Sequence, residues 1–187
     1  MTKKHDTLDG CRNALDALRM MCAEFYPDLS WIGRCEAMEA SRLPATARQL
    51  LAHANHMTPT LRAHFGRSAT LQVLDSHQEG DDYRRRILLT LDEGKSIIEF
   101  GIVSMDLGCV DPSTRQAIVD RTAPLGDLLQ KEGRMTRVEP KWFVRFPAGG
   151  PIVECFGARG KVDAYGRLAI IHLDHKPAVE LLEVVAV

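Results

Sequence analysis

The chain has 187 residues, 45% of them hydrophobic, and a formal net charge of −1. That length favours one domain, and that apolar share is enough for a core. The near-neutral balance leaves no electrostatic footprint for nucleic acid or an anionic membrane, no apolar run is long enough to span a bilayer, and the N-terminal third holds no recognisable helix-turn-helix.

The opening Met1-Thr2-Lys3-Lys4-His5-Asp6 has two lysines with no apolar stretch behind them, which is not the pattern of a signal peptide. Five scattered cysteines (Cys11, Cys22, Cys35, Cys109 and Cys155) form no CxxC pair. They are expected to be reduced thiols in a cytoplasmic protein, and no Cys/His cluster has zinc spacing.

Asp9 is placed to cap a helix carrying Leu15, Leu18, Cys22 and Phe25 at helical spacing. Pro44 sits at a second helix start, leading into Ala47, Leu50, Leu51 and Ala54. Pro59 opens a shorter helical segment ending near Gly66. Beyond Gly66 the period changes to two. Strands are expected around Leu71 and Val73, from Tyr83 to Leu91 and from Lys95 to Met105, with Asp92-Glu93-Gly94-Lys95 as a hairpin turn. Asp111-Pro112 starts a helix with Ala117, Ile118 and Val119. Pro124 starts another, with Leu125, Leu128 and Leu129 on one side and Gly133 as its stop. Strands return at Met135 to Phe146, Ile152 to Phe156, Lys161 to Leu173 and Ala178 to Ala186, with Asp174-His175-Lys176-Pro177 as the last turn. This order predicts an α+β fold: a single antiparallel sheet of about six strands, helices on one side, and two short inserted helices.

Three places attract chemistry. In Arg84-Arg85-Arg86, strand alternation puts Arg85 on the face of Tyr83, Ile87 and Leu89 and turns Arg84 and Arg86 the other way. An arginine on an apolar strand face binds an anion or a buried carboxylate; otherwise all three lie at a solvated strand end. In Glu180-Leu181-Leu182-Glu183, the two carboxylates face opposite sides of a regular strand, and the sequence does not choose which is inside. At Pro124-Leu125 a helix start offers free backbone N–H groups that favour an anion, against the plainer reading of Leu125 as core. His53 and His56 have a spacing that can hold a metal, but no third ligand is evident. His172 and His175 flank a turn, where solvent is the expected neighbour.

Taken together, Tyr83-Arg-Arg-Arg-Ile-Leu-Leu-Thr-Leu-Asp-Glu-Gly94, Arg121-Thr-Ala-Pro-Leu-Gly126 and Lys176-Pro through Leu182-Glu183-Val-Val resemble chorismate pyruvate-lyase in order and spacing. His56-Met57-Thr58 fits the same pattern upstream. The resemblance covers roughly residues 50–187. It implies one domain over residues 1–187 with a divergent helical part over 1–45, a monomer, a six-stranded sheet, and no metal or organic cofactor. It also implies a small-molecule partner, an aromatic or cyclohexadiene carboxylate, with no nucleic acid and no membrane. In that family the pocket holds 4-hydroxybenzoate. By resemblance, Arg85 binds its carboxylate, Glu183 meets its hydroxyl, and Met57 and Leu125 line the site; Arg85 and Glu183 are the catalytic candidates.

The implied reaction removes the enolpyruvyl group of chorismate with a ring proton, and aromatisation drives it. An arginine fork suits a carboxylate, and a buried glutamate suits the ring hydroxyl. One departure bears on this. The family enzyme has a second arginine after a glycine on the next strand, where this chain has Gly101-Ile102. A two-residue turn at Glu93-Gly94 would place Ile102 opposite Arg85 and remove a cation from the pocket. Arg86, Arg145, Arg159 and Lys141 are the cations that remain as substitutes. The expected function is a chorismate lyase-like enzyme giving 4-hydroxybenzoate and pyruvate; the alternatives are a non-catalytic binding domain for a small aromatic acid and a divergent member acting on another small acid.

Overall fold

Period-two alternation of apolar residues builds one antiparallel sheet of seven strands. The computed structural model describes residues 7–91 and 95–187. The strands are β1 (Glu36–Met38), β2 (Thr70–Glu79), β3 (Asp82–Leu91), β4 (Ser96–Asp106), β5 (Thr136–Phe146), β6 (Ala164–Leu173) and β7 (Lys176–Ala186). Their spatial order is β1-β5-β6-β7-β4-β3-β2. Two meanders, β2-β3-β4 and β5-β6-β7, therefore meet along a single ladder between β4 and β7.

The helices are α1 (Ala14–Cys22), α2 (Ala45–Leu51), α3 (Met57–Phe65), α4 (Pro112–Val119), α5 (Leu125–Glu132) and α6 (Pro151–Glu154). The expected placement on one side holds for α2 to α5. The second face is covered as well, by α1, α6 and the turn carrying Trp31 and Ile32, which pack on Leu88, Phe100, Ile102 and Leu182. The N-terminal third thus supplies the lid of one face and the first helices of the other.

Most expected elements lie where the periodicity puts them, and four do not. The cap of α1 is Asn13, whose side-chain carbonyl accepts from the Leu15 and Asp16 amides at 3.0 Å; Asp9 instead pairs with Lys141 at 3.0 Å. Phe25 and Ala54 lie beyond the ends of α1 and α2. Ile152–Phe156 is not a strand, because Gly150-Pro151 starts a helical turn with proline at its first position. The seventh strand is β1, three residues long and too short to show alternation.

The register between β3 and β4 also departs from expectation. Leu89 pairs with Glu99 and Thr90 with Ile97, so Ile98 is an extra residue on β4. Arg85 therefore pairs with Val103, and Arg86 with Ile102. The turn residues Asp92, Glu93 and Gly94, like Met1 to Asp6, lie outside the described residues. The last hairpin turn forms at Asp174-His175, both with positive φ (47° and 68°), the geometry of a two-residue primed turn.

Candidate ligand-binding site

Four charged residues are buried as a whole among the described residues: Arg85 (1% exposed), Glu99 (3%), Arg167 (0%) and Glu183 (7%). All four stand on the same face of the sheet. Arg167 pairs with Glu183, Glu183 with Gly101, and Gly101 with Ile87, in one row across β6, β7, β4 and β3. Arg85 and Glu99 lie two residues either side of that row on β3 and β4. Burying charge is expensive, so four on one face mark a built feature.

Above this floor a cavity of about 40 Å³ is closed by the starts of α3 and α5. Its walls include Arg85, Glu99, Gly101 and Glu183 below, with Met57 and Leu125 above. The structure thus gathers all four residues singled out in the sequence, Met57, Arg85, Leu125 and Glu183, around one space. Met57 and Leu125 are each the first residue of their helix, and neither helix start has a side-chain cap. First-turn amides and the positive helix ends therefore face the cavity. The two starts approach closely because Gly126 has no side chain: a Cβ there would lie 3.0 Å from the Thr58 hydroxyl. Arg62 of α3 ties to Asp127 of α5 at 2.8 Å and holds the roof together.

Arg85 has no carboxylate partner among the described residues. Among the described residues it makes a long hydrogen bond from a terminal nitrogen to the Ile118 carbonyl at 3.5 Å, and its Nε is buried without a partner. Burial lowers its pKa, the Tyr83 hydroxyl opposes that, and Arg121 adds to it. Arg84 and Arg86 do point the other way. Arg84 pairs with Glu24 at 3.2 Å, and Arg86 lies over the rings of Phe25 and Tyr26.

Glu183 is the inner carboxylate of β7. Glu180 lies on the opposite face, half-buried, and accepts from the Leu8 amide at 2.6 Å. Glu183 Oε2 accepts from Arg167 Nε at 2.5 Å. Arg167 spends its other donors on the segment after α2: on the carbonyls of Leu51 (3.2 Å), His53 (2.9 Å) and Asn55 (3.1 Å). Among the described residues Glu99 has no cation of its own, and its Oε2 is buried without a partner. Burial first, then the charge of Glu183, push its pKa well above the carboxylate range, against the pull of Arg167.

Sequence reasoning missed Glu99 and Arg167. Both carry the signal that singled out Arg85: a charge inside an apolar strand run, as in Ile97-Ile98-Glu99-Phe100 and Gly166-Arg167-Leu168-Ala169.

Ile102 does not bear on the pocket as expected. It faces the other side of the sheet and packs with Phe100 and Leu88 in the core beneath α1. The proposed substitutes for a second cation are elsewhere too. Arg145 pairs with Asp163 and Glu36, and Lys141 with Asp9 and Glu139. The side chain of Arg159 lies outside the described residues.

His53 and His56 do not share a helix. His53 follows α2, and its Nε2 donates to the Leu50 carbonyl at 2.6 Å. Its Nδ1 accepts from the Asn55 amide (3.2 Å) and Arg167 (3.3 Å), which fixes the neutral tautomer. His56 stands at the N-cap position of α3 without a side-chain cap bond, and its ring meets the Thr136 hydroxyl at 3.0 Å. Burial lowers the pKa of both rings, with Arg167 pushing the same way and Glu183 opposing. His56 also borders an open polar groove of about 640 Å³ outside the roof, between α3 and Gln130. His172 bonds Glu139 at 3.0 Å and is half-buried, while His175 is exposed. Among the described residues no three His, Cys, Asp or Glu side chains cluster as a metal site, and no helix is long and apolar enough to cross a membrane.

No protein-family model matches the sequence, and no curated protein matches it. Solved structures do match. PhnF from Mycobacterium smegmatis aligns over 71% of this chain and 64% of its own, at 13% identity and a TM-score of 0.54. A GntR-family transcriptional regulator from Enterococcus faecalis V583 aligns over 63% of this chain and 93% of its own, at 11% identity and a TM-score of 0.44. The fold is chorismate lyase-like. At such identities the likeness concerns the fold alone, and the site rests on this chain's own residues.

Proposed function

We propose that this chorismate lyase-like domain binds a small organic acid without transforming it, with Arg85 taking the carboxylate. One observation carries the reading: a guanidinium 1% exposed, in a cavity wall, with no counter-ion among the described residues. An unpaired buried charge is costly, and a ligand carboxylate is the partner that relieves it. The uncapped starts of α3 and α5 favour the same charge. Ile87, Leu89, Val103 and Leu181 offer an apolar wall to the body of the ligand. Glu183 and Glu99 offer its far end hydrogen bonds.

A binding role is favoured over a lyase by what the other charges do. Arg167 is fully engaged by Glu183 and three carbonyls, so among the described residues a dianion such as chorismate finds one free cation in the pocket, not two. Glu183 is held by Arg167, and burial raises the pKa of Glu99 and disfavours its charged form.

The test uses purified protein with chorismate, 4-hydroxybenzoate and related acids. Expected are a raised unfolding temperature with 4-hydroxybenzoate or a near analogue, its loss in Arg85→Met, and no pyruvate from chorismate. Stoichiometric pyruvate with loss of chorismate absorbance would establish the lyase instead. Binding that survives Arg85→Met would remove the arginine from the site.

A further inference from the structure

The charges on the cavity floor do more than attract an anion; they count its charge. Two carboxyls, Glu99 and Glu183, stand on neighbouring strands β4 and β7 with water largely excluded, and Arg167 on β6 flanks Glu183 on its other side. That arginine is bonded to Glu183 and to main-chain carbonyls, and none of its hydrogen bonds goes to Glu99. A charged Glu99 would be a second buried anion with no cation of its own.

We propose that Glu99 serves the ligand as an uncharged hydrogen-bonding acid, and that the pocket therefore selects acids with one negative charge and a neutral polar far end, excluding dicarboxylates. The proposal rests on the binding role argued above. The charge count is short. Arg167 and Glu183 cancel, Glu99 contributes nothing, and Arg85 leaves one positive charge for one carboxylate. At the far end a second carboxylate would meet Glu183, already an anion, and the protonated Glu99, with Arg167 unable to turn toward it. A hydroxyl there can donate to Glu183 and accept from the Glu99 O–H, whose Oε2 is buried without a protein partner.

No other group facing Glu99 changes this balance. From β3 comes Arg85, reserved for the carboxylate. From β6 and β7 come Arg167 and Glu183. The segment after α2 brings His53 and the start of α3 brings His56, both kept neutral by burial and by the nearby Arg167. The start of α5 supplies Pro124, Leu125 and Gly126, with no ionisable side chain. Burial as the main cause, with Glu183 second, raises the pKa of Glu99, in agreement with a retained proton.

The experiment compares 4-hydroxybenzoate with terephthalate, which replaces the hydroxyl by a second carboxylate on the same ring. Titration calorimetry on the wild-type chain is expected to find terephthalate weaker by about 100-fold, the scale of a like-charge contact in a buried site. In parallel, the infrared carbonyl stretch of a protonated carboxylic acid is expected at neutral pH in wild type and absent in Glu99→Gln. Terephthalate binding as tightly as 4-hydroxybenzoate would overturn the charge rule while leaving the pocket assignment intact. Absence of the protonated band overturns it as well. If no monocarboxylate binds, the binding role itself fails and the charge rule goes with it. Should Glu99→Gln fail to fold, the affinity ratio on the wild-type chain decides alone.

Discussion

Arg85 and Glu99 are residues whose local environments oppose their charged forms, and each makes a prediction about stability. Arg85 is buried with no counter-ion among the described residues. Arg85→Met keeps the length and apolar stem and removes the unpaired charge, so it is expected to stabilise the ligand-free protein by about 1–3 kcal/mol in urea denaturation while abolishing acid binding. A destabilised variant would mean that the protein itself satisfies the guanidinium. Glu99 predicts a dependence on pH. Its folded pKa is raised above the unfolded value, so its contribution is fully present below the unfolded pKa of about 4.5 and is lost as pH rises toward the folded value. Glu99→Gln removes that dependence. Its stability relative to wild type is therefore expected to rise from mildly acidic to alkaline pH, and a constant difference across the range would show that Glu99 shares its charge with a partner.

At the scale of elements, Arg167 joins β6 to the segment between α2 and α3. One side chain holds Glu183 and the carbonyls of Leu51, His53 and Asn55, which close the end of α2 and set the approach to α3. Arg167→Met strands a buried carboxylate and three carbonyls, with an expected cost of about 3–5 kcal/mol in urea denaturation and faster amide hydrogen exchange over residues 52–58 than elsewhere on α3. A loss confined to global stability, with no local change in exchange, would deny Arg167 its hold on this segment. The same element shows how far the sequence reaches. Alternation within one strand identified Arg85 as inward-facing, because that needs only the neighbours Tyr83, Ile87 and Leu89. The face of Glu183 over Glu180, and the meeting of Glu183 with Arg167, depend on the register between strands. Register in turn depends on local irregularities such as the extra residue Ile98, which no composition or spacing announces. That extra residue moved Ile102 out of the pocket and placed it under α1. Arg167 carried the same local signal as Arg85, but its role is set by carbonyls more than a hundred residues away in sequence. Met57 was legible as a member of the site only through resemblance, and Leu125 was legible from the residues only as one of two readings, since a helix start beside a proline is otherwise an ordinary core position.

For the whole molecule, the decisive feature is the seam between two meanders. The β4–β7 ladder, Phe100 to Met105 against Val179 to Val184, is the strand pairing that joins β2-β3-β4 to β5-β6-β7. The candidate site straddles it. Arg85 and Glu99 come from the first meander, Glu183 and Arg167 from the second, and Gly101 faces Glu183 across the seam itself. On its other side Gly101 leaves room for Ile87 of β3, since a Cβ there would lie 3.0 Å from that side chain. A ligand held by Arg85 at one end and Glu183 at the other therefore ties the two halves together. The cavity of about 40 Å³ is well below the roughly 150 Å³ that accepts a benzene ring, so binding must also part the starts of α3 and α5. These two effects oppose each other, and their balance is measurable. With a monocarboxylate at about 100 times its dissociation constant, linkage gives about 2.7 kcal/mol, or roughly 5–10 °C in unfolding temperature for a chain of this size. The transition is expected to stay single with and without ligand, because both meanders share one buried row of side chains from Arg167 to Ile87. Two transitions in the ligand-free protein that merge on binding would instead show the seam to be weak and the ligand to be its main fastener. That outcome would leave the site in place and change what binding does, from filling a formed pocket to completing the sheet.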